Sequence, residues 1–211
     1  MSAWNFIGIA AWLIVLAWLI FIIINIRQRH LRMIIKERQR FSAKHLILDI
    51  VEIVVFFILF IGMMYVTFFR TPNLKATDEV KLTYSYKPLV LQTNGSQGYF
   101  VKVQNGGTKR STQYYTYWVK GARYEVSSNY ATITSTSKPL TVNNTGIPWP
   151  KVQLNRIDEQ MQQAFVARAK GTYQPNFMNG LGLHVGHTAV DYFLIRVPAD
   201  TFIETEAQNN D

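Results

Sequence analysis

The chain has 211 residues, a formal net charge of +9, 48% hydrophobic residues and no cysteine, so a disulfide-stabilised fold is excluded. Residues 71–211 carry fourteen Lys or Arg against ten Asp or Glu, which leaves a net charge of only +4. Because no zinc-finger spacing, basic helix or RNA-binding motif accompanies that charge, the composition argues against a nucleic-acid partner.

Two long apolar runs in the first third of the chain predict a transmembrane hairpin. They cover about residues 4–26 and 46–69, and each exceeds the roughly 20 residues that cross a hydrocarbon core. Residues 27–45 between them hold seven Lys or Arg and one acid, Glu37. Since short cation-rich loops stay cytoplasmic, we expect a multi-pass cell-membrane protein with both termini outside. The lack of cysteine then favours the envelope of a Gram-positive bacterium.

The basic segment 27–45 has two interpretations. It is a solvated signal that fixes the topology, or it is a surface that binds anionic inner-leaflet lipids or a cytosolic partner. Apolar residues among the cations are typical of a helix that lies along the headgroup layer. The lipid-binding candidates are the basic side chains Arg27, Arg29, Arg32, Lys36, Arg38 and Arg40.

Asp49 and Glu52 are the unusual residues of the second run, because acids inside a span are costly and tend to face protein, water or a cation. They lie three residues apart, which places them on one face of a helix. One interpretation is a proton or cation relay, or a contact with a partner helix. The other is pairing within the chain, with Lys44 and His45 near Asp49 and a basic side chain reaching inward to Glu52.

The remainder of the chain predicts one extracytoplasmic α+β domain over residues 80–205, after a linker at 71–79 and before a frayed tail at 206–211. Short β-rich runs joined by turns such as Asn94-Gly95 predict an antiparallel sheet over about 80–143. An apolar stripe at helical spacing then predicts one main helix near 154–169. Residues 189–197 predict a further buried strand.

An aromatic cluster, Tyr114 to Trp118, is the most distinctive feature of that domain. On a strand, alternate residues face opposite sides, so one pair of rings fills the core while the other stays at the surface. A two-sided buried strand is the alternative to a binding surface for glycan rings or a partner protein. The surface-binding candidates are Tyr115, Tyr117, Trp118, Lys120 and Arg123.

His184, His187 and Asp191 resemble metal ligands only in residue type. Zinc-binding histidines on helices are usually four residues apart, whereas these are three apart with a glycine between them. We expect surface-loop histidines and no metal or other cofactor.

Sequence motifs of catalysis are sparse. Cysteine is absent, and no Gly-x-Ser-x-Gly elbow occurs. We therefore expect a non-enzymatic membrane-anchored envelope protein that acts by contacts, either as a subunit of an envelope complex or as a surface binding module. Its expected partners are the lipid bilayer and other membrane or envelope proteins or cell-wall glycan. The alternatives are a cell-wall or metal-dependent envelope enzyme and an ectodomain sensor.

Overall fold

The computed structural model describes residues 2–36, 43–95, 97–105, 112–135, 146–161 and 164–205. Contacts divide the chain into two compact units. The first joins Met1–Asn73 to Tyr173–His187, and the second joins Leu74–Thr172 to Thr188–Asp211. Residues 173–187, which the sequence analysis assigned to the C-terminal domain, therefore group with the N-terminal helices.

The first unit contains two long helices, α1 (Asn5–Lys36) and α2 (Ala43–Met64), and α2 continues as a π-helical turn at Tyr65–Phe69. The most apolar 18-residue windows of Asn5–Ile35 (31 residues) and Ala43–Phe69 (27 residues) have mean hydropathies of 3.0 and 2.7, so both helices are long and apolar enough to cross a membrane. The helices pack on each other through Trp12 of α1, whose ring meets Phe60 edge-on at 6.0 Å and whose Nε1 donates to Thr67 Oγ1.

Residues 173–187 complete the first unit as a compact turn that holds a short helix, α4 (Phe177–Leu181). The Asn176 side chain caps α4 by accepting a hydrogen bond from the Asn179 backbone N–H at 2.7 Å. The α4 helix packs against α1. The sequence predicts one main helix, near 154–169, so the short capped helix at Phe177–Leu181 is an addition to that prediction.

The second unit contains two four-stranded sheets and one helix, α3 (Lys151–Met161). The first sheet has the order β1 (Val80–Pro88), β8 (Phe165–Tyr173), β9 (Thr188–Val197), β7 (Ala131–Ser135). The second has the order β10 (Ile203–Thr205), β4 (Val101–Asn105), β5 (Gln113–Val119), β6 (Ala122–Ser127). A small hairpin adds β2 (Gln92–Asn94) and β3 (Gln97–Tyr99).

The first sheet is the middle layer of the second unit. Along β8, Phe165, Ala167 and Ala169 pack in a core with Leu154 of α3. The intervening residue Val166 packs in a second core with residues of β4 and β5. The period of two along a strand thus directs one face of the sheet to the helix and the other to the second sheet.

The predicted helix over 154–169 is wrong in its second half. The helix occupies Lys151–Met161, and Phe165–Tyr173 is the central strand β8. A strand buried on both faces loses the simple apolar–polar alternation, and its residues then also fit a helical stripe. Because of that ambiguity, Phe165 and Ala169 were predicted to be helical, although they lie in strand β8.

The prediction of an antiparallel sheet is also only partly correct, because the sheets are mixed. The β7–β9 and β4–β10 pairs are parallel, whereas β4–β5, β5–β6 and β8–β9 are antiparallel. Residues 80–143 do not form a sheet of their own, since β1 and β7 are in the same sheet as the C-terminal strands β8 and β9. Turn residues report only on neighbouring strands, so they do not signal pairings between distant ones.

Candidate functional site

The two acids of α2 share one arginine of α1. Arg29 Nη1 lies 2.7 Å from Asp49 Oδ1, and Arg29 Nη2 donates to Glu52 Oε1. Asn25, one helical turn before Arg29, donates to the same Glu52 oxygen at 2.8 Å. The three charged side chains are only 13–20% exposed. We call Arg29, Asp49, Glu52 and Asn25 the hairpin cluster.

Pairing within the chain was one of the two interpretations of Asp49 and Glu52, and the hairpin cluster has this arrangement. Arg29 turns toward α2, whereas Arg27 and Arg32 on the same helix are exposed. Those two side chains are available to anionic headgroups. Nothing is described of the Lys36 side chain, and Arg38 and Arg40 lie outside the described residues.

Asn5 anchors the opposite end of α1 to the turn at 173–187. Its side chain is 2% exposed, donates to the Val185 carbonyl at 3.1 Å and accepts from the Val185 N–H at 3.1 Å. This amide reproduces the donor–acceptor pair of a backbone strand partner and satisfies two buried main-chain groups. The asparagine that interrupts an apolar run is therefore a packing residue.

Close backbone contacts and a second asparagine complete that junction. Asn179 is fully buried, accepts from Arg70 Nη1 at 2.9 Å and donates to the Gln174 carbonyl at 2.9 Å. A Cβ atom added at Gly180 would lie 2.5 Å from the Trp4 carbonyl oxygen, and one at Gly8 would lie 2.6 Å from the Leu181 carbonyl oxygen. Only glycine fits at these two positions.

The weak metal candidates His184, His187 and Asp191 lie in three different environments. His184 stacks on Tyr173 with ring centroids 4.9 Å apart, and His187 is exposed. Burial lowers the pKa of His184, Arg70 and His187 lower it further, and the backbone of Val66 opposes the change. Asp191 pairs with Arg168. Within the described residues no three His, Cys, Asp or Glu side chains are grouped as metal ligands.

The aromatic cluster divides between the two faces of β5 as a strand requires. Tyr117 is 4% exposed and belongs to the core between the sheets, with Tyr115 packed against it. Trp118 is half-buried on the other face and meets Tyr99 edge-on at 6.0 Å. Tyr117, a surface-binding candidate, is therefore buried and belongs with Tyr115 to the pair of rings that fills the core. Lys120 and Arg123 are exposed at and beside the turn between β5 and β6.

A cleft opens between the two sheets beside Tyr117. It has a volume of 190 Å³, and both sheets contribute side chains to its wall. Tyr124 of β6 stacks on Tyr117 at 5.7 Å with the ring planes 16° apart, and it is 43% exposed. We call this space the inter-sheet cleft. It is lined by Ser85, Lys87, Tyr117, Val119, Tyr124, Glu125, Val126, Val166, Arg168 and Phe193.

Charged groups give the inter-sheet cleft its electrostatic character. Arg168 lies over the Phe193 ring, 5.3 Å from its centroid, and its Nε donates to Asp191 Oδ1 at 2.7 Å. That hydrogen bond raises the pKa of Arg168, which stays a cation. Burial raises the pKa of Tyr117 to about 12, so its phenol stays neutral at physiological pH and keeps its hydrogen-bond donor.

A larger cavity of 650 Å³ adjoins the inter-sheet cleft, because the two share Val126 and Phe193 as lining residues. Asp191 is its charged lining residue, and Tyr130, which is 61% exposed, supplies an aromatic side chain. Ser85, Lys87 and Arg168 line the inter-sheet cleft but were not among the predicted site residues. Lys87 at the end of an alternating strand was a usable signal, whereas Arg168 was hidden in the wrongly predicted helix.

Comparison with known proteins finds one family. A family model described only as ":-like" matches residues 3–204, which cover the two long helices and the two sheets together. That description contains no functional term. No curated protein and no solved structure matches the chain.

Proposed function

We propose that this chain, which belongs over residues 3–204 to the family described as ":-like", is a membrane-anchored, non-enzymatic envelope protein that acts by contacts. Of the two forms expected from the sequence, a surface binding module is favoured over a subunit held by partner helices. The observation that carries this choice is the inter-sheet cleft, an open space walled by stacked tyrosines and flanked by cations.

The helices support the membrane anchor. Only 17% and 6% of their most apolar windows are buried, so most of this apolar surface has no protein cover. A bilayer removes such surface from water, whereas the core helix of a soluble protein is mostly buried. With residues 27–45 held inside by their cations, the second unit lies on the extracytoplasmic face of the cell membrane.

The hairpin cluster supports a binding module over an intramembrane subunit. Acids inside a span require a compensating charge, and Arg29 of the same chain contacts both Asp49 and Glu52, with a further hydrogen bond from Asn25. A partner helix is not needed to neutralise Asp49. The expected contacts are then those of the second unit, with an envelope protein or cell-wall glycan.

Reporter fusions test the topology. Alkaline phosphatase fused after residue 205 should be active, and a cytoplasmic reporter at the same point should be silent. The opposite pattern would contradict the proposed localisation and, with it, the envelope function.

Photo-crosslinking in living cells tests the binding function. A photoreactive amino acid at Tyr124, inside the inter-sheet cleft, should give a crosslinked adduct. The control position is Val152 on α3, which is 77% exposed and outside the cleft lining. Adducts of equal yield at both positions, or none at Tyr124, would reject the cleft as the contact site.

A further inference from the structure

We propose that the inter-sheet cleft binds a pyranose ring that carries one anionic group, an inference that rests on the binding function proposed above. The shared chemistry is a polyhydroxylated ring with a single carboxylate or phosphate. Three properties of the cleft lead to this class of ligand: its size and walls, its hydroxyl groups and its charge.

The size and walls of the cleft fit one ring. Its 190 Å³ is below the roughly 300–1,000 Å³ of pockets that enclose drug-sized ligands. Tyr117 covers one face of Tyr124, yet Tyr124 stays 43% exposed, so ring surface remains for a ligand. The axial C–H bonds of a pyranose form an apolar face that packs on such a ring, as flat apolar groups do on aromatic side chains.

The hydroxyl groups of the cleft fit a polyhydroxylated ligand. The lining includes Ser85 and two tyrosines, residue types whose hydroxyl groups both donate and accept hydrogen bonds. Sugar hydroxyls have the same dual character, so ring and wall can exchange hydrogen bonds in either direction. A purely apolar ring would leave these groups without their water partners, at a cost in affinity.

The charge of the cleft fits one anion. Arg168 is paired with Asp191, and Glu125 is paired with Arg123 at 3.4 Å. Lys87 is the lining cation for which the described part of the chain supplies no ion pair, and its side chain is exposed. A ligand with one carboxylate or phosphate neutralises this remaining charge, and hydrogen bonds to charged groups are stronger than neutral ones.

The test measures binding of small probes to the purified full chain in a detergent without a sugar headgroup, by ligand-observed NMR. Glucuronic acid and glucose 6-phosphate present the two anions, and glucose is their neutral counterpart. We expect at least one of the two anionic sugars to bind about tenfold more tightly than glucose, as expected for a charge-assisted contact. Cyclohexanecarboxylate, which has the ring and the charge without hydroxyls, should bind more weakly than glucuronic acid.

Variants then assign the effect to residues. Lys87→Met should remove the preference for the anionic sugars, whereas Lys81→Met, on the same strand but outside the cleft lining, should keep it. Tyr124→Ala should weaken binding of anionic and neutral sugars alike. Equal affinity for glucose and both anionic sugars, or a preference that survives Lys87→Met, would overturn the proposal.

Failure of the ligand class is distinguishable from failure of the binding function. If Tyr124 crosslinks a partner in cells while neither anionic sugar binds the purified chain, the binding module stands and the ligand is not a sugar. If cyclohexanecarboxylate binds as tightly as glucuronic acid, the hydroxyls are irrelevant and the sugar class is rejected. If neither crosslinking nor binding is observed, both proposals fail.

Discussion

The hairpin cluster and the inter-sheet cleft each contain an arginine that forms an ion pair with an acidic side chain, but the two arginines are buried to different degrees. The Arg29 side chain is 15% exposed and contacts two acids at once, whereas Arg168 is 42% exposed and pairs with one. The more enclosed arginine holds two helices together. The more open one stands at the edge of a space that a ligand can enter.

This difference indicates which ion pairs contribute most to the stability of the fold. Removing one partner of a buried pair leaves an uncompensated charge and costs about 3–5 kcal/mol. Breaking a pair that is partly in water costs about 1 kcal/mol or less, because solvent screens it. We therefore expect variants in the hairpin to act on stability and variants in the cleft to act on binding.

The largest effect is expected for Arg29→Met. It removes the cation that Asp49 and Glu52 share, so the free energy of unfolding should fall by about 3–5 kcal/mol. Thermal unfolding of the purified full chain in detergent measures this loss. Arg32→Met removes an exposed cation from the same helix and serves as the matched control.

The triple variant Arg29→Met/Asp49→Asn/Glu52→Gln sharpens that test. Without formal charges at these positions, no unpaired ion remains, and we expect most of the lost stability to return. A triple variant as unstable as Arg29→Met would mean that packing of the arginine stem, and not charge, holds the helices together.

Close packing, in place of charge, is expected to dominate at the other end of the hairpin. Gly180→Ala places a Cβ atom 2.5 Å from the Trp4 carbonyl oxygen, so it should cost about 1–3 kcal/mol through forced backbone movement. Gly62→Ala is the control, because no atom apart from neighbouring backbone of its own helix lies within 4 Å of its added Cβ. It should leave the unfolding temperature unchanged or raise it, since alanine favours helix. Equal effects of the two substitutions would disprove the tight junction.

A smaller effect is expected beside the inter-sheet cleft for Asp191→Asn, because Asp191 pairs with the cleft residue Arg168. This change keeps the shape of the side chain while removing the charge that pairs with Arg168. Because the two side chains are 33% and 42% exposed, the loss should be about 1 kcal/mol or less after screening. The same unfolding assay applies, and a loss as large as that of Arg29→Met would erase the distinction between the two regions.

The sequence predicted the large-scale layout because long apolar runs and short β-rich runs are strong local signals. Two long helices followed by a mixed domain of sheet and helix are present, as expected. The parallel pairing of β7 with β9 was out of reach, because Ala131 and its partner Phe193 are far apart in the chain. Strand β8 was mistaken for helix because both of its faces are buried.

The candidate site was harder to predict because it depends on distances across the fold. Asp49 and Glu52 stood out as acids in an apolar run, but nothing local selects Arg29 from the seven cations of the basic segment. Tyr117 stood out as part of an aromatic cluster, yet its stacking on Tyr124 follows from the pairing of β5 with β6. The inter-sheet cleft forms only where the two sheets pack together, so no single stretch of sequence indicates it.

The smallest effect is expected from pH, at His184. Its pKa in the folded chain is lowered, chiefly by burial, so below the ordinary value of about 6.5 the unfolded state binds more protons than the folded state. Stability should therefore be fully present above pH about 6.5 and decline as the pH falls through the folded pKa. His184→Phe keeps a ring against Tyr173 and should flatten this part of the profile. His187→Gln, which changes an exposed neighbour, should keep the decline. Unfolding temperatures measured from pH 8 to pH 5 decide the matter, and identical profiles for His184→Phe and the unaltered chain would show that this histidine does not titrate differently on folding.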